Sequence, residues 1–564
     1  MKIIKLILLF LLLYFSPLLR RGAGGEAIAQ KILKDTTFVI VKQFQPTIAD
    51  AYKMNDMPVV KDSVPPVPKI NYGINSKKVF TPYTVEPIKS AKMVGEPLTK
   101  LYQSLVKGGA GTYLYGEGFF NSLRSKEYSY GAHARHLSWN GTLKNEGFSG
   151  FSDNEVGIYG KKFLHKETLS GNMDYSRNVI HYYNYDTAAV KNLADNNLIK
   201  QRYARIGGDA EFQTHYTDSS RINYLLKMKY FNISDYYKTS ENAFIVNGDL
   251  SGYYEKQLVH ALVSVDYSNT KSEADTAHSV IIGLSPYITA SGDKWNTRIG
   301  VAIALEGNKN DKSRFFFAPN IDFNYNVVEN IIVPYAGITG GLKRNSLENF
   351  SNENPFLVPD PKIKNTNTKF ELYAGLRGSI SRNLSYNAHT SYSKFDDLYF
   401  FVSDNTNPYT SGFNIVYDNS ALWNVHGEMQ FQYTEKIKII AKGDYNKYTM
   451  DTELKPWHKP LWQTTLAVTY NLKNKIVATA DLFVYGSRST YITARGEGPG
   501  ITVVSTSIFE LKPILDANIG LEYRYSKKLS AFLHFNNLGF KSYELWNNYP
   551  TQSFNFMVGI SAAF

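Results

Sequence analysis

The chain has 564 residues, 14% of them aromatic (42 Tyr, 33 Phe), with no cysteine, a mean hydropathy of −0.31 and a net charge of +12. Without cysteine there is no disulfide framework and no lipoprotein anchor, and lysines scattered along the chain give no basic stripe for nucleic acid. No helix-length apolar run follows the N-terminus, which excludes a helical membrane bundle; many aromatics at low mean hydropathy suit membrane strands, half of whose residues face water.

Two lysines in Met1–Lys5, the apolar run Leu6–Leu19 and the small residues Ala27-Ile28-Ala29 predict a signal peptide over residues 1–29. The rival reading, a membrane anchor, is disfavoured because the run falls short of the ~20 residues a spanning helix needs. An exported chain without cysteine needs another source of rigidity, and with the strand pattern below the outer membrane of a Gram-negative cell is expected. Residues 30–100 are dense in proline (46, 58, 65, 66, 68, 82, 87, 97) and show no sustained period, so an extended, irregular segment is expected there, periplasmic or within a barrel.

From Leu101 to Phe564 the pattern is alternation. Trp295, Thr297, Ile299, Val301, Ile303 and Leu305 share one face, as do Trp423, Val425, Gly427, Met429, Phe431 and Tyr433, and Leu515, Ala517, Ile519, Leu521, Tyr523 and Tyr525. Polar residues stand between them, so each strand has one greasy and one wet face. The runs exceed the ~5–6 residues of ordinary strands and match the ~9–11 of membrane strands.

Tight polar turns are expected at Glu255-Lys256, Gly292-Asp293, Glu329-Asn330, Ser381-Arg382, Glu435-Lys436, Lys473-Asn474 and Lys527-Lys528. Tyr254, Tyr325, Tyr433, Tyr470 and Tyr525 precede such turns, an aromatic girdle along one membrane edge. Counting these units predicts an all-β fold, a transmembrane antiparallel barrel of about 22 strands over residues 101–564. Longer outer segments are expected at 345–366, 397–418 and 489–511. Their aromatics Tyr399, Phe400, Phe401, Tyr409 and Tyr491 are candidate contacts, with packing the alternative. The last strand, Phe554 to Phe564, alternates apolar residues and ends in Phe564, resembling the signal read by the barrel assembly machinery.

The stretch Asn518-Ile519-Gly520-Leu521-Glu522-Tyr523-Arg524, then Phe535-Asn536-Asn537-Leu538, Lys541-Ser542-Tyr543, Tyr549-Pro550 and the closing strand, resembles the C-terminal strands of TonB-dependent receptors. The resemblance implies a 22-stranded receptor-type barrel importing a scarce polar solute with energy from the inner membrane. That family carries a plug of well over a hundred residues before its barrel, and only the segment 30–100 stands there in this chain. Thr37-Phe38-Val39-Ile40-Val41 resembles the box that adds a strand to TonB; the alternative is pairing in or beneath the barrel.

The faces assigned to the lumen carry both charges: Arg205, Asp209, Glu211 and His215, Lys227 and Lys229, then Arg298, Glu306, Glu371, Arg377, Lys442, Asp444, Asp481, Glu522 and Arg524. Opposite charges either knit the wall or line a hydrophilic conduit of little ion selectivity. His133 and His136 stand at an odd spacing, on opposite strand faces, and make no metal pair. Gly108-Gly109-Ala110-Gly111 lacks the rest of a phosphate loop and reads as a hinge or a close packing against the N-terminal segment. No nucleophile motif and no cofactor motif is present, so no enzyme is expected. The expected partners are outer-membrane lipids and lipopolysaccharide, the assembly machinery, and TonB or an outer-membrane lipoprotein. Two functions follow: a conduit or receptor for a polar solute, or a scaffold barrel supporting a surface complex.

Overall fold

The computed structural model describes residues 102–564, apart from 123–126, 186–195, 219, 256, 274, 309–312, 405–411 and 499–500 and the side chains of 492–506. The expected signal peptide over 1–29, the segment over 30–100 and the run Thr37–Val41 lie outside the described residues.

Beginning at Ser104–Gly111, each strand pairs antiparallel with the next in sequence as far as the nineteenth, Ile476–Tyr485. That strand pairs with Ile514–Arg524, which pairs with Leu529–Asn536, which pairs with Asn555–Ala563. The last strand returns to the first, from Leu105↔Ala563 to Gly111↔Met557. The result is a closed antiparallel barrel of 22 strands. The first strand starts three residues later than the alternation suggested.

The seven expected tight turns all fall between paired strands, on one edge of the barrel. Lys473 and Asn474 both adopt the left-handed region, with φ of 52° and 55°, which matches the twist of the strands they join. The five tyrosines ahead of these turns are all exposed. Along the wall the exposed side chains are apolar: Leu515, Ile560, Ile299 and Leu372 are each more than half exposed. Water would not tolerate such a belt, and lipid solvates it. The barrel therefore spans a membrane, with its tight turns on the side where both barrel ends lie.

The glycine run at 108–111 is neither hinge nor loop. It lies in the first strand at the seam, where a Cβ on Gly559 would stand 2.2 Å from the Gly108 carbonyl oxygen and 2.2 Å from the Phe532 ring. Gly109 is likewise covered by Phe532 and Met557. The seam closes because these residues lack side chains.

Two outer segments differ from expectation. Residues 397–418 do not form a long loop: Leu384–Asp404 and Gly412–Tyr433 are strands of 21 and 22 residues that carry the wall well beyond its neighbours. Residues 489–511 form a hairpin of Arg488–Gly498 and Ile501–Leu511, which touches the top of the first of these strands through the parallel pairs Ser403↔Ile492 and Asp404↔Thr493. Residues 344–365, in contrast, are a connection, and they hold helix α1, Leu347–Glu353. No helix among the described residues is long and apolar enough to cross a membrane.

Candidate functional site

The site is the outer mouth, where the connection 344–365 forms a strap. Helix formation begins at Ser346, whose hydroxyl accepts from Asn349 N at 3.1 Å, and Glu348 sits in the first turn where the helix dipole favours a carboxylate. The strap leaves the wall between Val333–Lys343 and Thr366–Ser381 and is bound by strands far from its own roots.

At its first end the contacts are ionic. Arg344 pairs with Glu241, and its Nε lies 3.2 Å from Asp266 Oδ1. Glu241 is almost wholly buried, and its second oxygen accepts from Leu347 N at 2.6 Å. Glu348 receives Arg205 Nε at 2.6 Å and lies 3.7 Å from Lys229 Nζ, while Arg205 also pairs with Asp174. Arg205, Lys229 and Arg344 all stand over the buried Phe231 ring, 5.0–5.5 Å from its centre. Buried charges of this kind persist only when paired and hydrogen-bonded.

The far end is tied to the opposite rim and also back to the first. Glu353 accepts from Lys459 Nζ at 2.9 Å and from the Tyr399 hydroxyl at 2.5 Å. Burial pushes the Lys459 ammonium down, but Glu353 beside it outweighs this and holds it above its ordinary value. Burial raises and Lys459 lowers the Glu353 carboxyl, which ends below the usual range. Tyr203 donates to Pro355 O at 3.2 Å and Tyr182 donates to Leu357 O. Phe356 stacks on Tyr549 at 3.9 Å, and Val358 N donates to Phe413 O at 3.1 Å. Tyr182, Tyr203, Phe356, Leu357, Phe413 and Tyr549, with Phe350, Phe401 and Ile199, form one apolar cluster drawn from strands and connections around the rim. Next to it His458 is fully buried, its Nδ1 2.9 Å from Phe401 O; burial pushes its pKa to about 3, so it stays neutral.

The residues singled out from the sequence share one strand face, opposite the exposed apolar belt, except His215, which follows the end of its strand and lies 2.9 Å from the Thr168 hydroxyl. Arg205 and Lys229 hold the strap. Asp209 accepts from Asn172 Nδ2 at 2.7 Å, and Lys227 lies 3.9 Å from both Asp209 and Glu211. Arg298 stands over Tyr287 and Arg377 over Tyr335, the latter donating to Asn324 at 2.7 Å. Lys442 pairs with Glu428, Asp444 with His426, and Glu522 with Arg524. Glu306, on the same face, takes Arg314 and Asn365 at the second root of the strap. Glu371 and Asp481 share the face. His133 lies 3.6 Å from Glu155 while His136 bonds Asn154 and Ser138, so the two histidines have separate partners. No cluster able to hold a metal occurs among the described residues.

The aromatics expected in outer loops are packing residues. Phe400 and Phe401 are buried, Tyr399 holds Glu353, and Tyr491 meets Trp457 at 4.8 Å; Tyr409 lies outside the described residues. The sequence reading missed Arg344, Glu348, Glu241, Asp266, Glu353 and Lys459. The one local signal was the cap at Ser346, inside a segment taken as loop.

No protein-family model and no curated protein matches the sequence. Among solved structures, the pyoverdine outer membrane receptor FpvA of Pseudomonas aeruginosa superposes with a TM-score of 0.62 at 10% identity, covering 82% of this chain and 78% of that one. The FrpB iron transporter of Neisseria meningitidis gives 0.62 at 8% identity, covering 83% and 82%. The siderophore receptor PirA of Acinetobacter baumannii gives 0.59 at 9% identity, covering 82% and 80%. At such identities the likeness is one of fold: this chain shares the large antiparallel barrel of these structures.

Proposed function

We propose that the protein is an outer-membrane receptor or conduit for a polar solute, closed at its outer mouth by its own strap. The observation that carries this reading is the strap itself. It bridges the mouth through charged pairs on one rim and a buried Lys459–Glu353 pair on the other. A wall that only supported a partner would have no need of a plug on polar mounts. The lumen reading of the charged face, from Arg205 round to Arg524, is supported by the strap's attachment to that face. Residues 54–100 are proposed as a second closure, and Thr37–Val41 as the strand offered to TonB. Phe564, whose carbonyl accepts from Gln103 N at 2.8 Å at the seam, is proposed as the assembly signal; a Phe564→Lys chain reaching the membrane at normal levels would remove that role.

The test uses planar bilayers and chains lacking residues 30–100. With the strap intact the barrel should pass little current; with residues 346–364 replaced by a short Gly-Ser link it should conduct in large, weakly selective steps. A correctly inserted, strapless barrel that stays silent would sink the conduit. The second reading, a scaffold, is favoured by the tall wall of Leu384–Asp404 and Gly412–Tyr433 and the hairpin beside it. Stoichiometric co-purification of a surface lipoprotein, together with silence in the bilayer, would put it first.

A further inference from the structure

One sector of the wall sorts its charges by face. It consists of the strands Phe151–Phe163, Glu167–His181, Lys200–Thr214, Asn223–Ser234 and Ser240–Tyr254. Their registers put Val156, Tyr175, Ile206, Tyr230 and Phe244 on the lipid side, all exposed. Every second residue from these shares that side. Every Asp and Glu in the five strands falls on the other, inner side except Glu167, which lies at the tight-turn edge. Arg177, Lys200 and Arg202 do the opposite: they lie on the lipid side, near the outer ends of their strands.

These three cations stand together. Arg202 faces Val179 across the strand pair, which makes Arg177 its diagonal neighbour, with Cβ atoms about 7 Å apart. Lys200 Nζ and Arg202 Cζ stand 5.9 and 5.8 Å from the centre of the Tyr236 ring. That ring is fixed from behind. The fully buried Gln201 accepts from Tyr236 N at 3.1 Å through its side-chain oxygen, and in the same turn Asp235 accepts from Thr239 N at 2.7 Å. All three cations are half-buried, and none pairs with a carboxylate among the described residues. The Arg202 Nε is buried without a hydrogen-bond partner.

The remaining charges at this rim do not cancel the group. Lys238 donates to Glu273 at 2.7 Å, Lys271 ends its strand on the lipid side, Asp275 caps the next turn, and Asp360 approaches from the strap. With Asp235 behind the ring, five cations face four carboxylates, and Arg177, Lys200 and Arg202 have none in contact. A partly buried guanidinium needs an acceptor. Directly below lie the exposed Tyr175 and Ile206, where acyl chains run. A soluble anion would use the charges and leave that apolar surface idle, whereas a neutral lipid would cover the surface and leave Arg202 Nε unmatched. We propose that Arg177, Lys200 and Arg202, beside Tyr236, hold the phosphate headgroup of an outer-leaflet lipid whose acyl chains lie on Tyr175 and Ile206. The site goes beyond the receptor reading and holds whether the barrel conducts or not.

The experiment is native mass spectrometry of the full chain in detergent, titrated with bisphosphorylated lipid A, phosphatidylglycerol, dephosphorylated lipid A and inorganic pyrophosphate. At least one phosphorylated lipid should be retained about tenfold more strongly than the dephosphorylated one. Arg177→Ala and Arg202→Ala should each weaken that retention about tenfold, and Arg202→Lys should restore part of it. Lys162→Ala, at an exposed cation on the same side but at the tight-turn edge, should leave it unchanged. Circular dichroism and heat-modifiable gel mobility of each variant establish that the barrel is intact. Equal retention of the dephosphorylated lipid would mean that the apolar belt alone holds it. Cluster variants that match the parent chain would mean that these side chains only reach for water. Pyrophosphate bound as tightly as lipid, and lost in the same variants, would make this a site for a soluble anion. Each of these three results would overturn the proposal.

Discussion

Asp235 and Arg344 each place a charge where water is scarce, with opposite consequences for their segments. Burial raises the Asp235 carboxyl to about 6, against the pull of its hydrogen bonds from Thr239 and Gln201. A group raised on folding binds its proton more tightly in the closed turn than in the open one. Local stability should therefore be greatest below about pH 4, fall as pH rises to about 6, and be flat above, a loss on the order of 3 kcal/mol. Amide exchange at Tyr236 and Thr239, corrected for intrinsic rates, should show this window. Asp235→Asn should abolish it, and protection that instead grows with pH would contradict the account. Arg344 is the case in which removal is costly. Arg344→Ala would leave Glu241 and Asp266 buried without their cation, a cost of about 3–5 kcal/mol, and exchange across 344–365 should accelerate at least a hundredfold. If exchange there stays slow, the strap is held by its apolar end alone. Neither residue was legible beforehand, because their partners lie about a hundred positions away for Arg344–Glu241 and thirty-four for Gln201–Asp235.

The strands were legible where one face meets lipid and the other water. Ile514–Arg524 and Trp295–Asn308 alternate because the membrane and the interior impose opposite demands on successive residues. The signal vanished where both faces are covered: Leu398–Val402 reads as an unbroken apolar run, since Phe400 and Phe401 are both buried on opposite sides of one strand. That is why the extension of Leu384–Asp404 looked like a loop rich in contact aromatics. A similar limit applies to α1, too short for a helical period to be seen. At the seam the sequence showed glycines without their reason, which is the Phe532 ring and the facing backbone. Gly559→Val should therefore oppose closure of first strand on last, because the new side chain meets the Gly108 carbonyl and Phe532 together. On a cold gel the variant should lose the compact, heat-modifiable band, whereas Gly108→Ala, with open space at its Cβ, should keep it. Equal behaviour of the two would show that the seam tolerates bulk.

For the whole molecule the question is what keeps so wide a cylinder shut. With strands ~4.8 Å apart and tilted near 40°, 22 strands enclose a barrel roughly 40 Å across. Barrels of this size contain a plug. The sequence offers the segment 54–100, a partner protein or the outer loops as closures. Of the outer loops the structure singles out the strap, which binds opposing sectors of the rim through Arg205, Lys229 and Glu241 on one side and Tyr399 and Lys459 on the other. If the proposed N-terminal closure acts in series with the strap, it makes a prediction that the strap alone does not. Cells expressing a chain without residues 54–100 should keep their resistance to large antibiotics excluded by the outer membrane, since the strap remains. Cells expressing a chain without 346–364 should also stay resistant if the N-terminal segment seals from below. Only the double deletion should sensitise them, provided surface labelling shows equal insertion of all three chains. Sensitivity from the first deletion alone would mean that the strap is porous and serves recognition more than closure. Resistance in the double deletion would place the seal in another protein, and the scaffold reading would then account better for the tall outer wall.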